Sequence, residues 1–428
     1  MKLRINYHIL SILLIVFAVF SFFLGFHLDE ISMGAGGYNG DFKFVKKSIE
    51  IFNNNSIKEA ILLFSESSNR PPLIYILHKI FNPFFDSTIG FRRVVFLISL
   101  SIPVLLFLCL KERFKNTDNI LLLLFTSIIF FNPFFRTSSF WGLEENYAYI
   151  ALLISLLYLL KLLNLKEKSD FSIYLKLTII AFSSSLCIYF DQKFLLVPLI
   201  CLSSIINANY LIKFKIYIIF LYILFSIPYL YLISIWGGIF PFDKYNIGNH
   251  FYTHHIGFAL TIIAFIMLPF ILITKESVIK KFSLFFKDKT NYYLISIIFI
   301  YIIYLTFFYD NSFIENRLDG GGVIKKLSLI FFENILLRKI FVYTTFAFAW
   351  ILVISFLNKN SKNFSIILYF VLISLITRPF YQEYLDPFLF FLILFIFEIQ
   401  LYLKFKNVIL FYLYFFIFLI GSKIYYGY

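Results

Sequence analysis

The sequence predicts an all-α polytopic membrane protein with about 12–13 transmembrane helices and a long loop after the first of them. Of the 428 residues, 61% are hydrophobic and only 14% are charged, the mean hydropathy is +0.85, and apolar runs recur along the whole chain. A soluble globular chain is about half apolar and a quarter charged. The composition therefore excludes a soluble enzyme, a disordered protein and a fibrous protein, and it predicts one integral membrane domain over residues 1–428.

The apolar runs mark thirteen candidate spans, several of them shorter than the ~20 residues that an untilted helix needs to cross a bilayer. The first run follows Lys2 and Arg4. Because so many further spans follow, we interpret it as an uncleaved first helix rather than a signal peptide. The candidate spans are residues 9–26, 94–110, 119–132, 146–160, 175–189, 194–206, 216–236, 256–274, 291–309, 340–357, 364–376, 387–403 and 407–420.

The net charge of +14 predicts the orientation, since cytoplasmic loops of membrane proteins are enriched in Lys and Arg. With the N-terminus inside, the short inner segments hold just over half of the 38 basic residues, and most of the 24 acidic residues fall outside. We therefore expect a cytoplasmic N-terminus, an external C-terminus and a bacterial inner (cytoplasmic) membrane. The basic residues stand singly or in pairs between apolar runs, which argues against nucleic-acid binding.

The first outer loop, residues 27–93, carries two amphipathic patterns. Apolar residues from Ile57 to Phe64 recur at helical spacing, and a second such stripe runs from Leu73 to Phe81 after a Pro-Pro pair. Both stripes are too short to span a bilayer and have charged residues on the opposite face. They predict helices that lie in the membrane interface. A second long outer loop is expected over residues 310–339.

Acidic residues precede these stripes. Asp29 and Glu30 follow the first span, and Asp41 follows a glycine-rich turn over residues 34–40. Any one of these acids has a simple explanation as solvated loop charge. Asp41 also opens an amphipathic segment, which would place its carboxylate at the mouth of the helix bundle, at the depth of the lipid headgroups.

This plan resembles the GT-C glycosyltransferases, which use polyprenyl-phosphate sugars as donors, and most closely the α-1,2-glucosyltransferases that complete the N-glycan precursor. Four segments carry the resemblance: Asp41-Phe-Lys-Phe44, Arg70-Pro-Pro-Leu73, Phe91-Arg-Arg93 and the late segment Gln382-Glu-Tyr-Leu-Asp-Pro387. The chain departs from the family pattern in two places. The acidic pair stands earlier, and the late segment has Glu where the family has Arg.

The resemblance implies an inverting enzyme that moves a sugar from a polyprenyl-phosphate donor to a lipid-linked or cell-surface glycan. Asp41 is the first candidate for the base, followed by Asp29 and Glu30. Arg378 is the first candidate for binding the donor phosphate, followed by Lys193 and Arg136. Further polar residues are expected at the same outer face as substrate-binding candidates, although pairing between helix ends would also explain them: Glu144, Asp191, His254, His255, Glu383 and Asp386.

No motif indicates a cofactor or a metal. His250, His254 and His255 share one outer loop, but HExxH is absent, and interface histidines or donors to a lipid phosphate explain them better. The run Gly320–Gly322 is not a P-loop; it predicts either a flap over a site or a solvated linker. Glu398 lies within the predicted span 387–403, near its inner end, where its side chain could reach the interface.

Two alternatives stay open. An envelope polysaccharide polymerase or ligase would also have many spans and a large outer loop, although that loop usually comes late in the chain. A flippase or transporter for lipid-linked sugars would show internal repeats and charges at the membrane midplane. No repeat is evident and ionisable residues avoid the span centres, which favours an enzyme acting at the membrane surface.

Overall fold

The computed structural model describes residues 7–68, 70–164, 169–238, 251–271, 273–274, 278–289, 291–309, 312–315, 320–357, 360–377 and 379–426. Within these ranges the chain is α-helical with short 3₁₀ turns, and only two isolated β-bridges occur. This confirms the predicted all-α polytopic membrane fold. The chain clusters into two compact units, Met1–Lys244 with Tyr412–Tyr428 (unit 1) and Tyr245–Phe411 (unit 2).

Seven helices of the described chain are long and apolar enough to cross a membrane, if Thr88–Arg113 is counted as one helix. Three shorter apolar helices and two bent helix pairs accompany them. Each of these twelve helices or helix pairs corresponds to one of the predicted spans. The helices of unit 1 are α1 (Tyr7–His27), α2 (Phe42–Asn54), α3 (Ile57–Ser67), α4 (Leu73–Phe81), α5 (Thr88–Ser99), α6 (Ser101–Arg113), α7 (Asn119–Ser127), α8 (Pro133–Trp141), α9 (Glu145–Leu163), α10 (Asp170–Phe190), α11 (Leu196–Ile206) and α12 (Ile212–Trp236).

Successive spans of unit 1 run in alternating directions. The start of α10 contacts the start of α12, where Lys213 pairs with Asp170, and the end of α10 contacts the start of α9, where the Cys187 thiol lies 3.5 Å from the Ala148 carbonyl. As a result, α1, α8 and α10 end at the same side of unit 1 at which α5 and α9 begin. We call this side the site end.

The amphipathic stripes of the first loop are helical and fold onto one another. Ser56 and Glu59 form a reciprocal capping box that fixes the start of α3. The Phe52 ring of α2 lies 5.9 Å from Phe64 of α3 and 5.6 Å from Tyr75 of α4. The apolar faces of α2, α3 and α4 therefore form a small core of their own at the site end. Apolar side chains near the end of α4 remain exposed: Ile80, Phe81 and Phe84.

The segment after α7 was expected to be an outer loop, but it is helical. After a 3₁₀ turn, α8 turns by 67° from the direction of α7. Asn132 caps α8 by accepting backbone N–H bonds, Pro133 occupies its first turn, and Gly142 ends it in the left-handed conformation with φ of +73°. All of α8 is buried. Arg136, in its middle, therefore lies in the interior rather than on a loop.

Unit 2 contains α13 (His255–Ile271), α14 (Val278–Lys287), α15 (Asn291–Phe307), α16 (Ser312–Glu315), α17 (Gly322–Phe331), α18 (Ile335–Leu357), α19 (Ser361–Ile376) and α20 (Phe388–Phe395), and α21 (Phe405–Tyr426) begins in unit 2 and ends in unit 1. α20 covers only the first part of the predicted span 387–403. The chain then continues without regular structure to Tyr402, whose N–H donates to the Ile273 carbonyl (2.5 Å). Glu398 was expected inside a span helix; instead it lies in this irregular stretch and accepts a hydrogen bond from Asn360 (2.7 Å).

The predicted loop 310–339 contains α17, and its glycine run is neither a free flap nor a solvated linker. Gly321 donates its N–H to the Phe380 carbonyl (2.9 Å). The φ angle of Gly320 is +75°, and a Cβ on this residue would clash with the Phe380 backbone. The glycines allow the chain to lie directly against a neighbouring backbone.

Candidate functional site

Charged side chains converge at the site end of unit 1 around Arg70, which precedes the Pro-Pro pair before α4. Its guanidinium forms an ion pair with Glu144 and lies 3.7 Å from the Glu145 carboxylate. Its other terminal nitrogen lies 3.9 Å from the Asp41 carboxylate at the start of α2. Arg70 thus joins the first loop to the start of α9.

Lys193 completes this group from the turn between α10 and α11. Its ammonium lies 3.1 Å from Asp191 and 3.6 Å from Glu145. The Asp191 carboxylate also accepts the backbone N–H of Lys193 (2.9 Å), which fixes the turn. We call these residues the Arg70 cluster: Asp41, Arg70, Glu144, Glu145, Asp191 and Lys193.

The members of the Arg70 cluster differ in their access to solvent. The Glu144 and Lys193 side chains are 4% and 9% exposed, whereas Asp41 and Arg70 are 32% and 35% exposed. Asp41 and Arg70 are therefore the members that a substrate could reach without displacing the others.

Burial controls the acid–base behaviour of the cluster. It raises the pKa of Glu144 to about 7; Arg70 opposes this rise, while Glu145 and Asp191 add to it. Burial also raises the pKa of Asp41, with Arg70 opposing the rise and Glu145 adding to it. Four carboxylates share two basic groups, so full ionisation leaves an excess of negative charge. A carboxylate with a raised pKa in such a setting is suited to accept a proton.

A buried polar contact holds α4 against α9 beside the cluster. The Asn82 amide donates to Nδ1 of His78 (2.9 Å), so the imidazole proton is on Nε2, which donates to the Tyr147 hydroxyl (2.5 Å). Burial lowers the pKa of His78 to about 4, so the ring is neutral at pH 7. Tyr147 follows Glu145 by two residues, and this contact therefore orients the start of α9.

The two alternative base candidates lie in separate ion pairs. Glu30 binds Arg136 through two hydrogen bonds of 2.6 Å, and Lys423 of α21 lies 3.1 Å from the same carboxylate. Asp29 lies 2.6 Å from Arg92, which stacks over the Trp141 ring.

Each of the three guanidinium nitrogens of Arg136 donates a hydrogen bond inside the protein. Its guanidinium binds Glu30 and the carbonyls of Phe130 and Ser21, and the residue is fully buried. It is not free to bind the phosphate of a substrate, which was its expected role. Its position fits a structural ion pair between α1 and α8.

The remaining candidates belong to unit 2. His254 and His255 are buried, with Nδ1 atoms 2.8 Å from the Tyr309 hydroxyl and 3.0 Å from the Ser374 carbonyl. Asp386 is buried, and Glu383 lies near Lys326, whose pKa burial lowers to about 8. Arg378, the first candidate for donor phosphate binding, lies outside the described residues, as does His250.

A divalent cation would find one set of ligands in the part of the chain that the structure describes. Glu144, Glu145 and Asp191 bring carboxylate oxygens within 4.8 Å of one another. Oxygen ligands of this kind suit Mg²⁺, Mn²⁺ or Ca²⁺. Arg70 and Lys193 already neutralise part of this charge.

Sequence reasoning identified Asp41, Glu144, Asp191 and Lys193, and the structure brings these four together. It did not assign a site role to Arg70 or Glu145, although Arg70 opened one of the segments that carry the family resemblance. The adjacent acids Glu144 and Glu145 at the start of a span were the available signal, because buried acids at a helix start need a basic partner.

Comparison with known proteins adds no further constraint on the site. The chain matches no protein-family model, no curated protein and no solved structure.

Proposed function

We propose that this protein is a membrane glycosyltransferase that moves a sugar from a polyprenyl-phosphate donor to a hydroxyl of a lipid-linked or cell-surface glycan. The reaction would take place at the site end of unit 1, facing the extracytoplasmic side. The observation that carries the proposal is the pairing of a partly exposed Asp41 carboxylate with the Arg70 guanidinium, 3.9 Å apart, where membrane-spanning helices end.

The two side chains match the two requirements of the reaction. The acceptor oxygen attacks the anomeric carbon as the bond from that carbon to the phosphate oxygen breaks, with inversion. Asp41 accepts the acceptor proton as the new glycosidic bond forms. Arg70, with Lys193 behind it, offsets the negative charge that develops on the departing polyprenyl phosphate.

The distribution of charge supports surface chemistry over transport. In the described part of unit 1, the Arg70 cluster, Asp29–Arg92 and Glu30–Arg136 lie toward the site end. The pair Lys213–Asp170 lies at the opposite end. A transporter would instead need polar groups along the path between these ends.

The test is sugar transfer by membranes that contain the Asp41→Asn variant, assayed with a panel of radiolabelled polyprenyl-phosphate sugars. Removing a general base costs about 10²–10⁴-fold in rate, and we expect a loss in this range. Asp86→Asn, an exposed acid in the same loop, is the matched control and should retain full activity. Turnover of Asp41→Asn at the wild-type rate and expression level would remove Asp41 from this role.

A further inference from the structure

An apolar cavity opens between α10, α11 and α12 in the half of unit 1 next to the site end. Its volume is about 330 Å³, which is within the range of ligand sites in proteins. Leu195 and Leu199, on its rim, are 42% and 52% exposed. Because α10 and α12 have the length and composition of membrane spans and α11 is a shorter apolar helix between them, we infer that the cavity opens toward lipid rather than water. Its lining includes Leu199, Leu202, Tyr222, Phe225, Ser226 and Tyr229.

Tyr189 supports the α12 wall of this cavity. Pro228 has no N–H and disrupts the regular hydrogen bonding of α12. At this point the Tyr189 hydroxyl donates to the Phe225 carbonyl (2.6 Å) and accepts the N–H of Tyr229 (3.0 Å). The hydroxyl is thus inserted between two groups that would bind each other in a regular helix. The insertion keeps α12 open on the cavity side and gives both the Phe225 carbonyl and the Tyr229 N–H a partner.

The cavity borders the candidate site at three consecutive residues. Gln192 lines the cavity, and its neighbours Asp191 and Lys193 belong to the Arg70 cluster. The side chain of Gln192 hydrogen-bonds Tyr229 at the same mouth. A chain that fills the cavity would therefore emerge next to the cluster.

We propose that this cavity binds the isoprenoid chain of the donor, at the units nearest the phosphate, and so places the phosphate beside Arg70 and Lys193. The inference rests on the proposed function and adds the substrate's lipid portion to it. An apolar cavity on the lipid-facing side of the helices favours a hydrocarbon chain as its occupant. The Arg70 cluster beside Gln192 favours a chain that carries a phosphate at its end. A bulk phospholipid acyl chain is the competing occupant.

Photocrosslinking in nanodiscs tests directly whether the cavity binds the prenyl chain. The first probe is a polyprenyl phosphate with a diazirine on the isoprenoid unit nearest the phosphate; the second is a phosphatidylglycerol with a diazirine on an acyl chain. We expect the prenyl probe to label peptides from α11 and α12, and excess polyprenyl phosphate but not excess phosphatidylglycerol to remove this label. Label spread over all lipid-facing helices, or removed equally by phosphatidylglycerol, would overturn the proposal.

Variants that fill the cavity give a second readout. Ser226→Trp and Leu199→Trp place a large ring in the lining, and Ile227→Trp, on the lipid-exposed face of α12, is the matched control. Excluding about two methylene groups from burial weakens binding about tenfold, so we expect at least this loss of prenyl labelling in the two cavity variants. Labelling in the control should equal that of the wild type.

The same variants separate this proposal from the proposed function. Specific prenyl labelling without sugar transfer from any donor would support the cavity as a prenyl site and contradict the transferase. Sugar transfer with wild-type apparent donor affinity in both cavity variants would support the transferase and contradict the cavity proposal.

Discussion

Asp41 and Glu144 are both carboxylates beside Arg70, yet only one of them has the properties of a base for a bound substrate. The Glu144 side chain is 4% exposed and forms a direct ion pair with the guanidinium. Asp41 is 32% exposed and stands 3.9 Å from Arg70. At this distance Arg70 influences the charge of Asp41 without occupying its oxygens. Exposure, rather than the size of the pKa shift, therefore favours Asp41 over Glu144 as the proposed base.

The acid side of the pH profile should depend on Arg70. A base must be ionised to act, and the positive charge of Arg70 lowers the pKa of Asp41 against the effect of burial. In Arg70→Gln this opposition is lost, the pKa of Asp41 rises further, and the acidic limb of kcat/KM should move to higher pH. The rate itself should fall by about 10²–10³-fold, as for the loss of one group that stabilises developing charge.

Arg70→Lys separates these two effects. It keeps the positive charge but loses the paired donors of the guanidinium, so the rate should fall while the acidic limb stays near its wild-type position. The measurement is kcat/KM over pH 4.5–8 for the three proteins, about the range in which carboxylates with raised pKa titrate. Identical acidic limbs in Arg70→Gln and Arg70→Lys would show that Arg70 does not set the ionisation of Asp41.

At the scale of elements, apolar runs predicted the spans well, because the length and the apolar composition of a span are properties of consecutive residues. The exceptions have local causes. The segment 133–141 contains Arg136 and three hydroxyl residues, which suggested a loop, although Asn132, Pro133 and Gly142 carry the start and stop signals of a helix. The predicted span 387–403 is apolar apart from Glu398 and Gln400, and the sequence does not reveal that its helix ends at Phe395.

The site was less predictable than the spans, because its contacts join residues far apart in the chain. The alternation of spans placed Asp41, Glu144 and Lys193 on one face, which was sufficient to predict that they could meet. It could not show that Arg136 would bind Glu30 internally, or that Arg70 would bind Glu144. Those two ion pairs depend on the bend between α7 and α8 and on the packing of α4.

The packing of α1 against α8 gives an element-scale test. Gly25 of α1 lies against the Glu30–Arg136 pair, and a Cβ there would lie 2.7 Å from the Glu30 carboxylate. Gly25→Ala should destabilise the protein by about 1–3 kcal/mol, the usual cost of overpacking, and lower its apparent melting temperature in detergent. Gly421→Ala is the matched control, since a Cβ at this α21 glycine meets no atom within 4 Å. Equal melting temperatures for the two variants would contradict the close packing of α1 on the ion pair.

At the scale of the whole molecule, the contacts between α1 and α21 show how the first and last helices are oriented relative to each other. In unit 1, the Tyr412 hydroxyl of α21 donates to the Leu14 carbonyl of α1 (2.8 Å), and Lys423 lies 3.1 Å from Glu30, just beyond the end of α1. The two helices therefore run in the same direction. The start of α1 and the end of α21 lie at opposite ends of unit 1, and the end of α21 lies at the site end.

The proposed donor requires that the site end face outward, and single-cysteine labelling tests this orientation. Asp86 is an exposed loop residue at the site end, and Lys115, 56% exposed, lies in the turn before α7 at the opposite end. In intact cells a membrane-impermeant maleimide should label Asp86→Cys and leave Lys115→Cys unlabelled, whereas permeabilised cells should give label at both. The three native cysteines are buried and should give little background. Labelling of Lys115→Cys alone in intact cells would place the Arg70 cluster in the cytoplasm, where an external glycan acceptor could not reach it.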